Sequence, residues 1–446
     1  MNQAKRPNAA ARLMQSIGPA LIVACVVLGP GSIVSNSKVG WQFGYDMLWV
    51  VLGATALMIG LTALSARLGV LLEHGLCEEL SRQAGRFWGV TAGVCMILVC
   101  GSFQFGNNLG VLYAIEPFLD GTRLEGSPTF PVATLIILNG VTILALHGLP
   151  KLYQPVERLM KLLVGLMLAG FAVNMVLAKP SILAVLAGFI PSLPAQASET
   201  LLPRAVTSAS GATAITDHLW PVQALIGTTF SVAGAFYQAY LVRQKGWTRE
   251  HVKEGLRDTV LGIGALGLMS LLIMITSAAV LHDNPNVASL GSAADVARQL
   301  QPLFGMAATA LFCAGIFAGA FSSFLVNAMV GGAMLSDSLG KGGTMDQPWP
   351  KAFTTVVLLA GMLMAIGVKA SGLNTGSVII FAQAITVLVN PLLAGSMLWL
   401  ASRPALVASG LIPGWILRIS QAGFGLVLLL SLRTGYRIFL QLTQLP

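Results

Sequence analysis

The sequence predicts an all-α integral membrane protein with about eleven transmembrane helices. Of its 446 residues, 55% are hydrophobic and only 10% are charged, whereas roughly one quarter are charged in soluble domains. The mean hydropathy is +0.78. Apolar runs of about 18 to 25 residues, the length that crosses a bilayer as a helix, recur along the whole chain.

Eleven runs meet this length, at residues 17–39, 45–67, 88–117, 130–147, 156–178, 220–242, 258–281, 303–333, 351–369, 376–400 and 411–433. If they alternate in direction, 18 of the 26 Lys and Arg residues fall on one side. The positive-inside rule then predicts a plasma membrane protein, in a bacterium an inner membrane protein, with a cytoplasmic N-terminus and an outer C-terminus. The net charge of +9 reports this topology, and we expect no nucleic-acid partner.

The chain divides into two halves around a loop. Residues 191–217 are rich in Ser, Thr, Ala and Pro, as is typical of a loop between helices. The predicted segments are a cytoplasmic N-terminus (1–16), a first five-helix repeat (17–180), an outer loop (181–219), a second, inverted five-helix repeat (220–400), and an eleventh helix with the C-terminus (401–446).

The first apolar run is interrupted at its centre by Gly29, Pro30, Gly31 and Ser32. Proline has no backbone N–H, and the glycines relax the remaining backbone. The freed peptide groups would each cost several kcal/mol in hydrocarbon, so a break persists only beside a cavity or packed against protein. Secondary transporters hold their solute in such a cavity. We therefore predict that these four residues line a binding site; the alternative is a packed proline kink.

An inverted repeat requires a second break in the sixth run, which corresponds to the first. Small and weakly helix-forming residues occupy positions 226–235 at that depth. Thr228, Ser231 and Ala233 are therefore further candidates for the site. The alternative for Thr228 and Ser231 is that each hydroxyl bonds to its own helix.

Several motifs resemble the Nramp family of proton-coupled divalent-metal transporters, and especially its Nramp-related branch associated with magnesium or manganese. The Gly-Pro opening at Gly18 and the break at Gly29 are similar to that family's first span, and the stretch from Ser65 to Val70 resembles its second. Ser322 and Ser323 resemble a Ser-Ser motif in the eighth span. The resemblance implies a LeuT-like, APC-type fold of five plus five helices with one helix added.

The resemblance also indicates where the family's metal-binding side chains have changed. Gly29 and Ser32 stand where the family has Asp and Asn, and Ser231 and Ala233 where ordinary members have Met and His. Acidic residues of the third span are replaced by amides, and a glutamine of the tenth span is kept. The polar candidates for a pathway or for bonds between helices are Gln104, Asn107 and Asn108, and the candidate metal ligands are Ser32, Thr228, Ser231 and Gln383.

A neutral site favours some cargoes over others. A unit charge about 4 Å from a divalent ion contributes roughly 8 kcal/mol at an effective dielectric near 20, and this site lacks it. Neutral oxygens suit hydrated Mg²⁺ better than dehydrated Mn²⁺ or Fe²⁺. The sequence thus predicts a secondary transporter of a small inorganic ion, without enzyme activity or cofactor. A neutral or organic solute and a transport-incompetent sensor are the alternatives, and the oligomeric state is left open.

Overall fold

The computed structural model describes residues 18–148, 153–194, 201–207, 213–285, 287, 290, 292–373 and 375–443. Long helices dominate this part of the chain. Those that correspond to whole predicted spans are Leu48–Leu71, Arg86–Ile115, Thr129–Gly148, Tyr153–Ala178, Val252–Leu281, Ala293–Ser338, Pro348–Ala370 and Gly414–Thr443. In the helix Ala293–Ser338, Gly305 adopts φ 78°, a conformation that favours glycine, and divides a shorter helical segment from the eighth span.

Nine helices of the described chain are long and apolar enough to cross a membrane, and one bent pair makes a tenth crossing. The run predicted at 376–400 instead forms two 12-residue helices, Thr375–Thr386 and Asn390–Ala401. Pro391 lies in the first turn of the second helix, where its missing N–H has no cost. The predicted tenth span is therefore present as two short helices, neither of which reaches the spanning length by itself.

The first span is broken as predicted. Its half-helices, Pro19–Val27 and Pro30–Phe43, meet at an angle of 62°. Pro30 begins the second half-helix, because it cannot donate the hydrogen bond that would continue the first.

The sixth span is also interrupted, between the half-helices Trp220–Thr229 and Val232–Gln244. Together they still read as one 25-residue span. The sixth span has no proline at its break, which accounts for the smaller bend.

The predicted outer loop contains regular structure of its own. A short helix, Ile182–Ala187, is followed by strands β1 (Arg204–Thr207) and β2 (Thr213–Thr216), which pair antiparallel with Arg204 opposite Thr216. This hairpin is the one departure from an all-α fold in the described chain.

The spans pack in two groups, which meet where the first span contacts the third and eighth. One group contains the first, second, sixth, seventh and eleventh spans, and the other contains the third, eighth and ninth. The first span packs against the sixth, seventh and eighth, and the second packs against the sixth, seventh and eleventh, whereas the third packs against the eighth and ninth. In the most apolar 18 residues of the sixth span, 94% of the residues are buried inside the protein, compared with 22% in the fourth span. The two interrupted helices thus lie at the centre of the protein, surrounded by helices that face lipid.

Candidate functional site

A small cavity lies at the break of the first span. Its volume is about 10 Å³, room for about one water molecule. The lining comes from the first, third and tenth spans: Val26, Val27, Gly29, Gly31, Ser32, Ser102, Phe103, Gly106, Asn107 and Ile379. The described lining contains no charged side chain. The break therefore lies beside a small cavity, and the binding role of its residues stays a prediction.

Asn107 is the amide that faces this break. A β-carbon at Gly29 would lie 2.8 Å from Asn107 Oδ1 and 3.1 Å from Ser323 Oγ. Asn107 is 3% exposed, and its Nδ2 has no hydrogen-bond partner among the described residues. Because a buried amide without a partner is costly, this group is available to a molecule that enters the cavity.

The last carbonyl groups of the half-helix Pro19–Val27 are all hydrogen bonded. The carbonyl of Ala24 accepts from the backbone N–H of Leu28 at 2.9 Å, and that of Val27 accepts from Ser32 Oγ at 2.6 Å. The eighth span supplies the other two donors. Ser323 Oγ donates to the Cys25 carbonyl at 2.5 Å, and Asn327 Nδ2 donates to the Val26 carbonyl at 3.1 Å.

The sixth span meets the first beside this cavity. A β-carbon at Gly234 would lie 3.2 Å from Val27 Cγ2, so the two breaks are neighbours. Thr228 Oγ1 donates to the Leu225 carbonyl of its own helix at 3.0 Å. Ser231 Oγ accepts from the Gly234 N–H at 3.3 Å and so caps the second half-helix.

Ala233 is buried at 4% exposure. The described lining of the cavity contains none of Thr228, Ser231 and Ala233. Pro30 packs against the third span at Gly110, where a β-carbon would overlap it.

The other predicted polar residues divide between two places. Asn108 accepts a hydrogen bond from Asn139 Nδ2 at 2.7 Å, which joins the third and fourth spans. Gln104 packs against Gly361 of the ninth span, away from the break. The side chain of Gln383 lies outside the described residues. Of the three amides considered together, only Asn107 therefore faces the cavity.

Asp258 is a buried acid that the sequence did not single out. It is fully buried and accepts from the N–H groups of Gly18 at 2.6 Å and Ala20 at 2.8 Å. A carboxylate in this position satisfies the free N–H groups at a helix start and interacts favourably with the helix dipole. The signal was present in the sequence, since an Asp stands at the beginning of the seventh apolar run.

A second polar network lies at the end of the bundle where residues 72–78 approach residues 240–243. We call this end of the bundle the basic end. Tyr240 of the sixth span donates its hydroxyl to Asp337 of the eighth at 2.6 Å, and the Cys77 N–H donates to that hydroxyl at 3.0 Å. Burial raises the pKa of the Cys77 thiol, and the nearby Asp337 raises it further. This network joins the two groups of spans at the basic end.

The eleventh helix holds the opposite end of the sixth span. The side chain of Asp217 is 1% exposed and pairs with Arg433 and, at 2.9 Å, with Arg437. Arg433 also donates to Gln223 Oε1 at 2.6 Å, and the Arg437 guanidinium lies 4.1 Å from the centre of the Trp220 ring. These contacts attach the appended helix to the sixth span.

The family is decided by comparison of the whole chain. Residues 20–437 match the family model described as Nramp, natural resistance-associated macrophage protein-like. The chain belongs to the Nramp family. A protein of Deinococcus radiodurans named divalent metal cation transporter MntH is 27% identical over 93% of this chain and 89% of its own length. A protein of the same name from Acidiphilium cryptum is 24% identical over 92% and 88%.

Solved structures show the same fold. The manganese transporter of Eremococcus coleocola, in complex with an aromatic bis-isothiourea compound, superposes with a TM-score of 0.73 at 17% identity, covering 97% of this chain and 87% of that chain. A nucleobase-cation-symport-1 family transporter superposes with a TM-score of 0.56 at 14% identity, covering 99% and 96%. The chain is thus an integral membrane transporter of this family with a LeuT-like fold, and the Nramp members are transporters, not enzymes.

The described lining of the cavity at the break contains no His, Cys, Met, Asp or Glu side chain. Among the described residues, no three His, Cys, Asp or Glu side chains converge as a metal site. The cavity offers the Asn107 amide and the hydroxyls of Ser32 and Ser102, whose oxygens are neutral, hard donors. Such a donor set fits an ion that keeps part of its water shell.

Proposed function

We propose that this Nramp member is a secondary transporter of a divalent cation, with hydrated Mg²⁺ favoured over Mn²⁺ and Fe²⁺. The observation that carries the proposal is the break at Gly29, which faces a cavity lined by neutral groups. Mg²⁺ loses its water reluctantly and prefers oxygen ligands. Transition metals are selected by nitrogen or sulfur ligands, which the described lining does not provide.

The packing supports transport by alternating access as part of this proposal. The cavity of about 10 Å³ is far too small for a hydrated ion, since it has room for about one water. The first and sixth spans would therefore move together against the third, fourth, eighth and ninth, and widen the gap near Gly29 and Ser231 from each side in turn. Tyr240 and Asp337 join the two groups at the basic end, so opening that end requires their hydrogen bond to break.

The orientation is part of the proposal. The excess of Lys and Arg on one side supports a cytoplasmic N-terminus and an outer C-terminus in a bacterial inner membrane. The proposed repeats, 17–180 and 220–400, then place the interrupted spans antiparallel at the centre.

Uptake into proteoliposomes tests the function directly. Purified protein should accumulate Mg²⁺ above empty liposomes, with a lower apparent KM than for Mn²⁺. Absence of uptake of both ions, by protein that is monodisperse in detergent, would remove the metal proposal.

A second candidate is a neutral solute on the same fold. The observation that favours it is again the lack of a charged side chain in the described lining. A thermal-shift screen distinguishes the two, because only a ligand that binds the folded state raises the melting temperature. Stabilisation by uncharged solutes, together with none by Mg²⁺, would favour this candidate.

A further inference from the structure

The carbonyl end of a broken helix is itself a potential cation site. The last four carbonyls of a helix have no partner within it, and together they carry about half a negative charge. In the half-helix Pro19–Val27 that end lies beside the cavity, since Val26 and Val27 belong to the lining. A dehydrated ion in the cavity would be expected to bind these oxygens directly.

Two side chains of the eighth span donate hydrogen bonds to these carbonyl oxygens. Ser323 Oγ donates to the Cys25 carbonyl at 2.5 Å and Asn327 Nδ2 donates to the Val26 carbonyl at 3.1 Å. Ser323 and Asn327 are four residues apart on one helix and therefore project from the same face. Both are at most 2% exposed, so water does not compete for the bonds.

The Ser323 hydroxyl and the Asn327 amide each occupy one of the two lone pairs of the carbonyl oxygen that they bind. An ion that coordinates such an oxygen must either displace the donor or bind at the second lone pair, beside the positive hydrogen of that donor. The displaced hydroxyl or amide would then lie buried without a partner, which costs about 1–3 kcal/mol. An ion that keeps its water shell avoids this cost. Its water molecules can donate hydrogen bonds to the second lone pair of each carbonyl oxygen and to neutral side-chain oxygens. Asn107 is buried and has an unpartnered Nδ2. It lies near Ser323 at the break, since a β-carbon at Gly29 would be 2.8 Å from Asn107 Oδ1 and 3.1 Å from Ser323 Oγ, and it offers a polar group to a ligand there.

We propose that Ser323 and Asn327 determine which cation the site accepts. By hydrogen bonding to the carbonyls of Cys25 and Val26, they disfavour direct coordination of dehydrated Mn²⁺ and favour an ion that binds through its water shell. This inference rests on the proposed function and assigns specificity to positions in the eighth span that do not themselves contact the cavity.

The test compares variants that free one carbonyl each with a matched control. S323A frees the Cys25 carbonyl, and N327L frees the Val26 carbonyl while keeping a side chain of similar volume. Ser322 is fully buried and donates to the Gly319 carbonyl of its own helix at 3.1 Å, so S322A removes a neighbouring hydroxyl without freeing either carbonyl. S323T retains the hydroxyl and serves as the rescue variant.

The readout is the ratio of Mn²⁺ to Mg²⁺ affinity, from titration of purified protein and from uptake into liposomes. S323A and N327L should raise this ratio about fivefold or more, whereas S322A and S323T should leave it at the wild-type value. A purely structural role would weaken both ions equally and leave the ratio unchanged. That result, or equal ratios in S323A and S322A, would overturn the inference.

The two proposals fail in different ways. If the wild type carries neither ion, the proposed function is wrong. The inference is still tested by Mn²⁺ binding to S323A, which should appear where the wild type and S322A show none. If the wild type carries Mg²⁺ but S323A keeps the wild-type ratio, the function stands and the role of the eighth span is refuted.

Discussion

Replacing Gly29 with aspartate should convert the neutral break of the first span into a charged one. Gly29 has φ −94° and ψ −177°, an extended conformation that any residue adopts, so the backbone accepts the change. The new β-carbon would lie 2.8 Å from Asn107 Oδ1. Asn107 Oδ1 is the end of a side chain and can rotate away, and Ser323, whose Oγ would lie 3.1 Å from the same β-carbon, must shift by a few tenths of an ångström. The carboxylate would then lie at the break, close to Asn107 and Ser323, where it meets an ion that enters when the gap widens.

The expected gain follows from two opposing effects. At about 4 Å and an effective dielectric near 20, a carboxylate attracts a divalent ion by roughly 8 kcal/mol. Burying the carboxylate costs several kcal/mol. We expect a net gain of about 1.4–3 kcal/mol, which tightens Mn²⁺ binding about 10- to 150-fold.

Isothermal titration of the purified variant with Mn²⁺ and Mg²⁺ measures this gain. G29A is the matched control, because it adds the same β-carbon without the charge and should bind Mn²⁺ no better than the wild type. Equal Mn²⁺ affinity in G29D and G29A, with both variants folded, would mean that the ion does not bind at this break.

Three further predictions concern the contacts around the site. Y240F removes the hydroxyl that donates a hydrogen bond to Asp337 at 2.6 Å and should open the basic end. In a variant that keeps only Cys77, maleimide should then alkylate this cysteine faster. Y237F is the control, because the hydroxyl of Tyr237 has no partner among the described residues, and it should leave the alkylation rate unchanged. D217N removes the buried carboxylate that pairs with Arg433 and Arg437. The loss of about 3–5 kcal/mol of folding stability should lower the melting temperature in detergent. An unchanged melting temperature would show that these ion pairs do not hold the eleventh helix in place. N139L breaks the hydrogen bond to Asn108 and should lower the stability by about 0.6–2 kcal/mol. The affinities for Mg²⁺ and Mn²⁺ should stay at their wild-type values. A shift in either affinity would contradict a purely structural role for Asn108.

Local features of the sequence predicted much of the fold. The break at Pro30, the apolar runs and the interruption near Ser231 were all visible as short stretches of residue type. Hydropathy and the missing N–H of proline act over a few residues, which is why such features can be recognised without a structure. The tenth run was predicted as a single helix and forms two, because a run of apolar residues does not itself report where a short turn divides it.

The structure brings together only some of the residues that the sequence nominates for the site. Gly29, Gly31, Ser32 and Asn107 line the cavity, but the sequence could not separate Asn107 from its neighbour Asn108, which bonds to the fourth span. Thr228 had two interpretations, and its bond to the Leu225 carbonyl matches the local one. In each case the decisive fact is the direction of a side chain in the packed bundle.

The sequence by itself determined that the first membrane span must be interrupted and that the residues at the interruption are neutral. Only the tertiary structure decided how the freed carbonyls are satisfied, by Ser323 and Asn327 nearly 300 residues further along the chain, and how Asp258 caps the first span. The physical reason is that a backbone break follows from local residue types, whereas the hydrogen-bond partners of the freed groups depend on which distant helix packs beside them.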